Sequence, residues 1–248
     1  ASTIPTVAES YPGFEASAWQ GLLGQASHFN FSSAFHRTMY SLMGAGAVLG
    51  YLIGSLSFAV IVSRLFGLSD PRTYGSGNPG ATNVLRSGNK QAAMATLLFD
   101  ALKGYLPVLL VKWYGPAFGL DDRAVALVAI SAFIGHLWPV FFAFKGGKGV
   151  ATAAGILFGV EPLLGAAVMG TWLIVAFFFR YSSLAALAAS LFAPAYYLFG
   201  NQVAWQTSDA ELLAVMVMSA LLLMRHKDNI ARLVSGQETK IGAKKEAS

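Results

Sequence analysis

The stretch Tyr40–Phe66 reads YSLMGAGAVLGYLIGSLSFAVIVSRLF and is the first long apolar run of the chain. A helix of about 20 apolar residues crosses the roughly 30 Å of hydrocarbon in a bilayer, so this run is long enough to span a membrane. Small residues that let a neighbouring helix approach closely recur along it, at Gly44, Gly46, Gly50 and Gly54. The stretch therefore predicts a membrane-spanning helix that packs inside a helical bundle.

Composition extends that prediction to the rest of the chain. Hydrophobic residues make up 55% of the sequence and charged residues 12%, with a mean hydropathy of +0.56, which lies outside the soluble globular range. The absence of cysteine excludes disulfides and thiolate chemistry, and the four histidines are too scattered to form a metal site. No basic stripe with interleaved aromatic residues supports nucleic-acid binding. We therefore expect an all-α integral membrane protein that needs no metal and no cofactor.

Further apolar runs bring the expected total to about seven segments. Two charged residues, Asp100 and Lys103, interrupt the run Ala92–Trp113, which is the second predicted span. Their i, i+3 spacing favours a structural ion pair over substrate contact. His136 in the third run is expected to form an interhelical hydrogen bond. The run Val150–Val160 is too short to cross the membrane at 1.5 Å per residue and predicts a half-length helix. The six runs are Ala92–Trp113, Ala124–Phe144, Val150–Val160, Leu163–Phe179, Leu184–Phe199 and Leu212–Met224.

Two glycine-rich loops lie between these runs: the first glycine loop, Ser76–Asn83, and the second glycine loop, Lys145–Gly149. Glycines permit positive φ angles and Pro79 lacks an N–H group, so neighbouring free N–H groups can converge on an anion. The second loop adds two ammonium groups and is followed by the N-terminus of the half-length helix. Taken alone, either loop also fits an ordinary interhelical connection, and neither has the spacing of a known nucleotide motif. Together they predict cradles for phosphorylated ligands.

Lysine and arginine are distributed unequally over the two sides of the predicted bundle. The side with both glycine loops and the tail after the last run holds thirteen of them, whereas the opposite side holds Arg37, Lys112 and Arg123. By the positive-inside rule, the N-terminus is predicted to lie outside and the loops and the C-terminus in the cytoplasm. Residues 1–38 lack the basic and apolar regions of a signal peptide and are expected to be an interfacial or disordered extension of a membrane domain at residues 39–248.

The tail carries His226 and Asn229, which would share one face if the last helix continued. Basic residues beside a membrane segment commonly anchor it to lipid headgroups, and that interpretation stays open for this tail. His226 and Asn229 would alternatively face the two glycine loops at the cytoplasmic end of the bundle.

Three separated motifs resemble one family: Ser76–Asn83 with Arg86, Lys145–Thr152, and the tail from His226 to Glu238. Their combination is similar to the acyl-phosphate-dependent glycerol-3-phosphate acyltransferases, the PlsY type of bacterial membranes. The resemblance covers about residues 40 to 240 and does not include the N-terminal extension.

The resemblance implies transfer of a fatty acyl group from acyl phosphate to the 1-hydroxyl of glycerol 3-phosphate at the cytoplasmic face of the bacterial inner membrane. It implies catalytic roles for His226, Lys145 and Ser76, with His226 either positioning the hydroxyl or accepting its proton. The glycerol 3-phosphate ligands would be Ser76, Arg86, Lys145, His226 and Asn229, and the acyl phosphate head would lie in the two glycine loops. The full set of substrate-binding residues is Ser76, Gly77, Asn78, Gly80, Thr82, Asn83, Arg86, Lys145, Gly146, Gly147, Lys148, Gly149, His226, Asn229, Arg232 and Glu238.

Chemistry makes sense of this set, because an acyl phosphate is a mixed anhydride whose phosphate leaves readily. The protein must hold two anionic reactants together, which positioning and electrostatics can do without a catalytic triad. The sequence also lacks His-x-x-x-x-Asp, the acid–base motif of other glycerol-phosphate acyltransferases. Two other classes remain open: a transporter of an organic phosphate, which would use half-helix N-termini in the same way, and a lipid-binding scaffold. The expected partners are the two substrates and membrane lipid, and the expected state is a monomer.

Overall fold

The structure is a computed structural model that describes residues 31–242, and its regular elements are helices apart from one isolated bridge between Asn201 and Trp205. The α-helices are α1 Phe31–Gly54, α2 Phe58–Leu65, α3 Ala81–Leu85, α4 Lys90–Tyr114, α5 Asp122–Leu137, α6 Val150–Val160, α7 Pro162–Phe179, α8 Ser182–Phe199, α9 Asp209–Arg225 and α10 Lys227–Val234. Short 3-10 helices follow α4 at Gly115–Phe118 and α5 at Val140–Phe142. The predicted all-α architecture is confirmed for this part of the chain.

The chain divides into two compact units between Ser41 and Leu42. In the first unit, residues 31–41 form the beginning of α1, so the expected boundary between residues 38 and 39 falls inside a helix. The rest of the expected N-terminal extension, residues 1–30, lies outside the described residues. Every predicted site residue belongs to the second unit.

Within residues 31–242, four helices are long and apolar enough to cross a membrane: α4 and α5 with the turns that follow them, α7 and α8. The pair α1 and α2 adds a fifth if it counts as one span, although a bend of 42° separates its two parts. The half-length helix is present as α6, with 11 residues over the predicted range. Helix α9 has 17 residues. The structure thus supports a multi-pass protein with four or five spans by length, and the count of seven segments stays a prediction.

The first predicted span, Tyr40–Phe66, is not a single helix in the structure, because the helix breaks between Gly54 and Phe58. A break inside a membrane segment frees backbone groups that need new partners. Lys103 Nζ of α4 donates to the carbonyl oxygen of Leu56 at 2.6 Å, and Asp100 accepts a hydrogen bond from the N–H of Phe58. Lys103 and Asp100 also form the predicted ion pair, with 2.8 Å between Nζ and Oδ1 and both side chains buried. The pair therefore holds together the two ends of the break.

The third span also differs from its prediction as a helix over Ala124–Phe144. Helix α5 ends at Leu137, and Trp138 leaves the helical conformation, because the residue before a proline is disfavoured in the α conformation. Near the end of α5, His136 contacts Thr152 of α6. Thr152 Oγ1 donates its proton to the Asp100 carbonyl oxygen at 2.9 Å. It also lies 3.1 Å from His136 Nδ1, so Nδ1 must be the donor of that second hydrogen bond. The expected interhelical role of His136 is confirmed.

Glycines bring the helices into backbone contact at two places. A Cβ atom on Gly54 of α1 would lie 2.1 Å from the carbonyl oxygen of Ala132 in α5, and one on Gly155 of α6 would lie 1.9 Å from that of Ala101 in α4. The predicted close approach along α1 is confirmed at Gly54, whereas Gly44 has no neighbour within 4 Å of its would-be Cβ. Close packing of α4 with α6 and of α1 with α5 fixes the elements from which both glycine loops extend.

Candidate active site

The first glycine loop is organised from inside by Asn83, whose side chain is 2% exposed. Its Oδ1 accepts the N–H of Ser76 at 3.0 Å, and its Nδ2 donates to the carbonyl oxygens of Pro71 at 2.6 Å and Tyr74 at 3.1 Å. Asn83 was predicted to bind substrate, but its amide is engaged with the loop backbone. We interpret it as the residue that gives the loop its shape.

The same loop uses part of its backbone donor capacity internally. The N–H groups of Ser76, Gly77 and Gly80 all donate to acceptors within residues 74–83. The expected run of free N–H groups is therefore reduced. What the loop presents to solvent is its exposed side chains, those of Ser76, Thr82 and the following Arg86, with Asn78 partly exposed. The loop therefore offers side-chain donors to solvent rather than a continuous backbone nest.

The second glycine loop packs tightly at its two middle glycines. A Cβ on Gly146 would lie 2.1 Å from the His136 carbonyl oxygen, and one on Gly147 would lie 2.3 Å from His136 Nε2 and 2.9 Å from the carbonyl oxygen of Pro79. Gly149 has a φ of +88°, which an L-residue rarely adopts, and it directly precedes α6. These glycines are needed for packing, and Gly147 is the point where the two loops meet.

Lys148 connects the second glycine loop to the tail by a hydrogen bond. Its ammonium group donates to Asn229 Oδ1, so one lysine joins the second glycine loop to α10. Partial burial lowers the pKa of Lys148 to about 8, against the opposing attraction of Glu238. Lys148 is therefore a charged donor whose proton is held less firmly than that of an ordinary lysine.

Glu238 holds the tail against two helices. Its Oε1 accepts from Ser183 at the start of α8 at 2.7 Å and from Asn229 Nδ2 at 2.6 Å, and its Oε2 accepts from Arg232 Nε at 2.7 Å. Burial alone would raise the pKa of Glu238, but these hydrogen bonds together lower it. Glu238 and Arg232 were expected to bind substrate. In the structure they pair with each other, and Glu238 orients Asn229.

His226 lies between α9 and α10 and is 2% exposed. Its Nδ1 lies 2.8 Å from the carbonyl oxygen of Leu222, which can only accept, so Nδ1 carries the proton and Nε2 has the free lone pair. Burial lowers the pKa of His226 to about 4, so the imidazole is neutral near pH 7. A neutral ring with an unprotonated Nε2 is suited to accept a hydrogen bond from a hydroxyl group.

The predicted residues thus fall into two groups. Lys148, His226 and Asn229 are brought together between the second loop and the tail, whereas Lys145 is exposed at the rim and has no described side-chain bond to another predicted residue. Sequence reasoning ranked Lys145 as catalytic and gave Lys148 only a binding role. The polarity of the short connection before α8 was the available signal for Ser183, which was missed.

Arg225 is a further residue beside the site that the motifs of the tail do not single out. Its guanidinium group donates to the carbonyl oxygens of Gly146 and Gly147 at 3.0 to 3.2 Å. Direct adjacency to His226 was the available signal.

Comparison with known proteins gives a consistent result. A family model described as glycerol-3-phosphate acyltransferase matches residues 45–236. A glycerol-3-phosphate acyltransferase of Albidiferax ferrireducens is 61% identical over 200 residues, covering 81% of this chain and 89% of that protein. One of Paraburkholderia phytofirmans is 62% identical over 203 residues, covering 81% and 92%.

Solved structures agree. This chain resembles two crystal structures of PlsY, an integral membrane glycerol 3-phosphate acyltransferase. The TM-score is 0.73 and the identity 36% for the glycerol 3-phosphate form of PlsY. For its lysophosphatidic acid form the values are 0.72 and 34%. Each match covers 81% of this chain and at least 95% of the other.

Proposed function

This chain belongs to the glycerol-3-phosphate acyltransferase family, and from that membership we propose that it transfers a fatty acyl group from acyl phosphate to the 1-hydroxyl of sn-glycerol 3-phosphate. The products are lysophosphatidic acid and inorganic phosphate. The observation that carries the proposal is the joining of the Lys148 ammonium group to Asn229, three residues after a neutral, buried His226. A cation for a phosphate and an acceptor for a hydroxyl are the two groups that this reaction needs.

Glycerol 3-phosphate binds between the exposed cations and the tail. Arg86 and Lys145 at the rim attract its dianionic phosphate, and Ser76 donates a hydrogen bond to it. Asn229 and His226 hold the glycerol end. The acyl phosphate head lies against the two glycine loops, where Lys148 offsets its charge, because charge-assisted hydrogen bonds to phosphate are the strongest available to a protein.

The reaction is an acyl transfer in one step of bond exchange. The 1-hydroxyl oxygen attacks the acyl carbonyl carbon, the bond from that carbon to the bridging phosphate oxygen breaks, and phosphate leaves with the electron pair. Lys148 stabilises the charge that develops on the leaving group, which is electrostatic catalysis by a positioned cation. No metal ion or cofactor takes part in this scheme.

His226 orients the attacking hydroxyl and does not keep its proton. With a pKa of about 4, its imidazole is a weaker base than a phosphate monoester, whose second pKa is about 6. The hydroxyl proton therefore passes to a phosphate oxygen of a substrate, while Nε2 of His226 accepts the hydrogen bond that aligns the oxygen lone pair with the carbonyl carbon.

The protein works as a monomer in the bacterial inner membrane, with its site at the cytoplasmic face. The excess of Lys and Arg on the side of both glycine loops supports this orientation. Glycerol 3-phosphate then reaches the site from the cytoplasm, and the acyl chain of the donor and of the product stays in the membrane lipid.

Reconstitution of the purified protein tests the proposal. Vesicles receive glycerol 3-phosphate and palmitoyl phosphate, and lysophosphatidic acid and inorganic phosphate are measured in parallel with palmitoyl-CoA as the alternative donor. We expect product from palmitoyl phosphate and at most a trace from the thioester. Asn229→Ala removes the partner of Lys148 and should lose most of the activity, whereas Lys240→Ala, a matched polar change in the tail, should keep it. Equal turnover of both donors would refute the assignment of acyl phosphate.

A further inference from the structure

Arg225 ends α9 and makes three hydrogen bonds to the second glycine loop. Its Nη2 donates to the carbonyl oxygen of Gly146 at 3.0 Å, and its Nε and Nη2 donate to that of Gly147 at 3.2 and 3.1 Å. The guanidinium group also lies over the ring of Trp138, 6.0 Å from the centroid. A planar group fixed on a ring and directed at two successive carbonyls holds a loop in one conformation, which a flexible ammonium does not do.

Because peptide bonds are planar, these hydrogen bonds from Arg225 also fix the direction of neighbouring N–H groups in the loop. In a trans peptide, the C=O group and the following N–H group point in opposite directions. The Gly146–Gly147 peptide is held at both ends, because its N–H donates to the His136 carbonyl oxygen at 3.2 Å. The next peptide is held by Arg225 at the Gly147 carbonyl, so the N–H group of Lys148 is directed away from Arg225.

The second glycine loop, which Arg225 holds, also lies next to the other parts of the site. Gly147 lies against the Pro79 carbonyl oxygen of the first glycine loop, and Arg225 directly precedes His226. A rotation of the Gly147–Lys148 peptide would therefore shift the Lys148 side chain relative to both His226 and the first loop.

We propose that Arg225 is a positioning residue for the acyl transfer: it holds the Gly147–Lys148 peptide so that the N–H and the ammonium group of Lys148 face the phosphate of the acyl donor. The inference rests on the proposed function for the identity of that donor. Arg225 acts on the substrate only through the loop. Its Nε and Nη2 donors are already bonded to the carbonyl oxygens of Gly146 and Gly147.

The test compares Arg225→Lys, Arg225→Met and the control Arg64→Met, an arginine-to-methionine change at the exposed end of α2. We expect both Arg225 variants to lose on the order of tenfold to a hundredfold in kcat/KM for palmitoyl phosphate, since charge-assisted hydrogen bonds of this kind correspond to such factors. The KM for glycerol 3-phosphate should stay within about twofold of the wild-type value, because the hydrogen bonds of Arg225 go to Gly146 and Gly147 and none of them goes to a proposed ligand of glycerol 3-phosphate. The control should match the wild type.

Comparing the kinetic constants for the two substrates distinguishes a positioning role from a general structural role. A general structural defect would lower the efficiency for both substrates alike. Arg225→Lys keeps the charge and much of the volume, so it decides the question if Arg225→Met does not fold. Full kcat/KM in Arg225→Lys would show that charge alone suffices and would overturn the proposal. Equal losses for both substrates would overturn it as well.

A binding measurement makes the test independent of turnover. Inorganic phosphate, added to the detergent-purified protein, should raise the unfolding temperature of the wild type and of Arg64→Met at concentrations about tenfold lower than for the Arg225 variants. Identical phosphate titrations in all four proteins would refute the role of Arg225. A wild-type protein that makes no lysophosphatidic acid would instead refute the proposed function, and the phosphate titration would still decide the role of Arg225.

Discussion

The lowered pKa of Lys148 predicts how catalysis depends on pH. If the ammonium group holds the donor phosphate, then kcat/KM follows the fraction of free enzyme in which Lys148 is protonated. With a pKa of about 8, that fraction is about 0.9 at pH 7 and about 0.1 at pH 9, whereas an ordinary lysine with a pKa near 10.4 would remain almost fully protonated at both. The expected result is a fall of about tenfold in kcat/KM for palmitoyl phosphate between pH 7 and pH 9.

Lys148→Arg provides the matched variant, because a guanidinium group keeps its charge throughout this range. It should have a lower kcat/KM than the wild type but no decline between pH 7 and pH 9. Initial rates of lysophosphatidic acid formation are measured at each pH, with the rate of spontaneous donor hydrolysis subtracted. Phosphate ionisation near pH 6 lies below the window and leaves the comparison unaffected. A decline of the same size in Lys148→Arg would refute the assignment of the titrating group to Lys148.

Three other expectations are independent of that titration. A cysteine placed at Asn78 of this cysteine-free chain should be labelled from the cytoplasm and one at Ser208 from outside; reaction of the former with an impermeant reagent in intact cells would reverse the orientation. Lys145→Ala should cost about tenfold to a hundredfold in kcat/KM for glycerol 3-phosphate by removing a charge-assisted contact to its phosphate, whereas Lys240→Ala should be nearly silent; the opposite ranking would place the binding cation in the tail. Lys103→Met removes one partner of a buried ion pair and should lower the free energy of unfolding by about 3 to 5 kcal/mol, so a wild-type unfolding curve would contradict the role of the pair at the helix break.

The parts of the fold that the sequence predicts are those with a local cause. Val150–Val160 is apolar, short and preceded by glycine, and the helix has the same bounds in the structure. The Asp100–Lys103 pair follows from the cost of two charges in an apolar run. The break at Leu56 has only a weak local signal, the adjacent Gly54 and Ser55, because its stretch contains no proline and its carbonyl is satisfied by Lys103, which lies 47 residues further along the chain. A helix that depends on a distant partner cannot be assigned from its own residues.

The same distinction applies to the site. The residue types and spacing of the tail predict correctly that His226 and Asn229 lie close to the second glycine loop, since Asn229 accepts from Lys148. Spacing does not say which lysine of that loop turns inward, and the prediction of a catalytic role for Lys145 comes from the family resemblance alone. Nor does it say that Glu238 reaches Ser183, because that contact depends on how the tail folds back on α8.

The distribution of the site along the chain has a consequence for biosynthesis. Lys148 lies 81 residues before Asn229, its partner, and Glu238 follows nine residues later still. Because a chain is made from its N-terminus, a ribosome-bound intermediate can insert α1 to α8 and both glycine loops and still lack the groups that, on the proposed function, align the two substrates. On that proposal, the nascent protein makes no detergent-like lysolipid in the patch of membrane where it is being inserted, and it gains activity only after residues 226–238 have been made and have folded back.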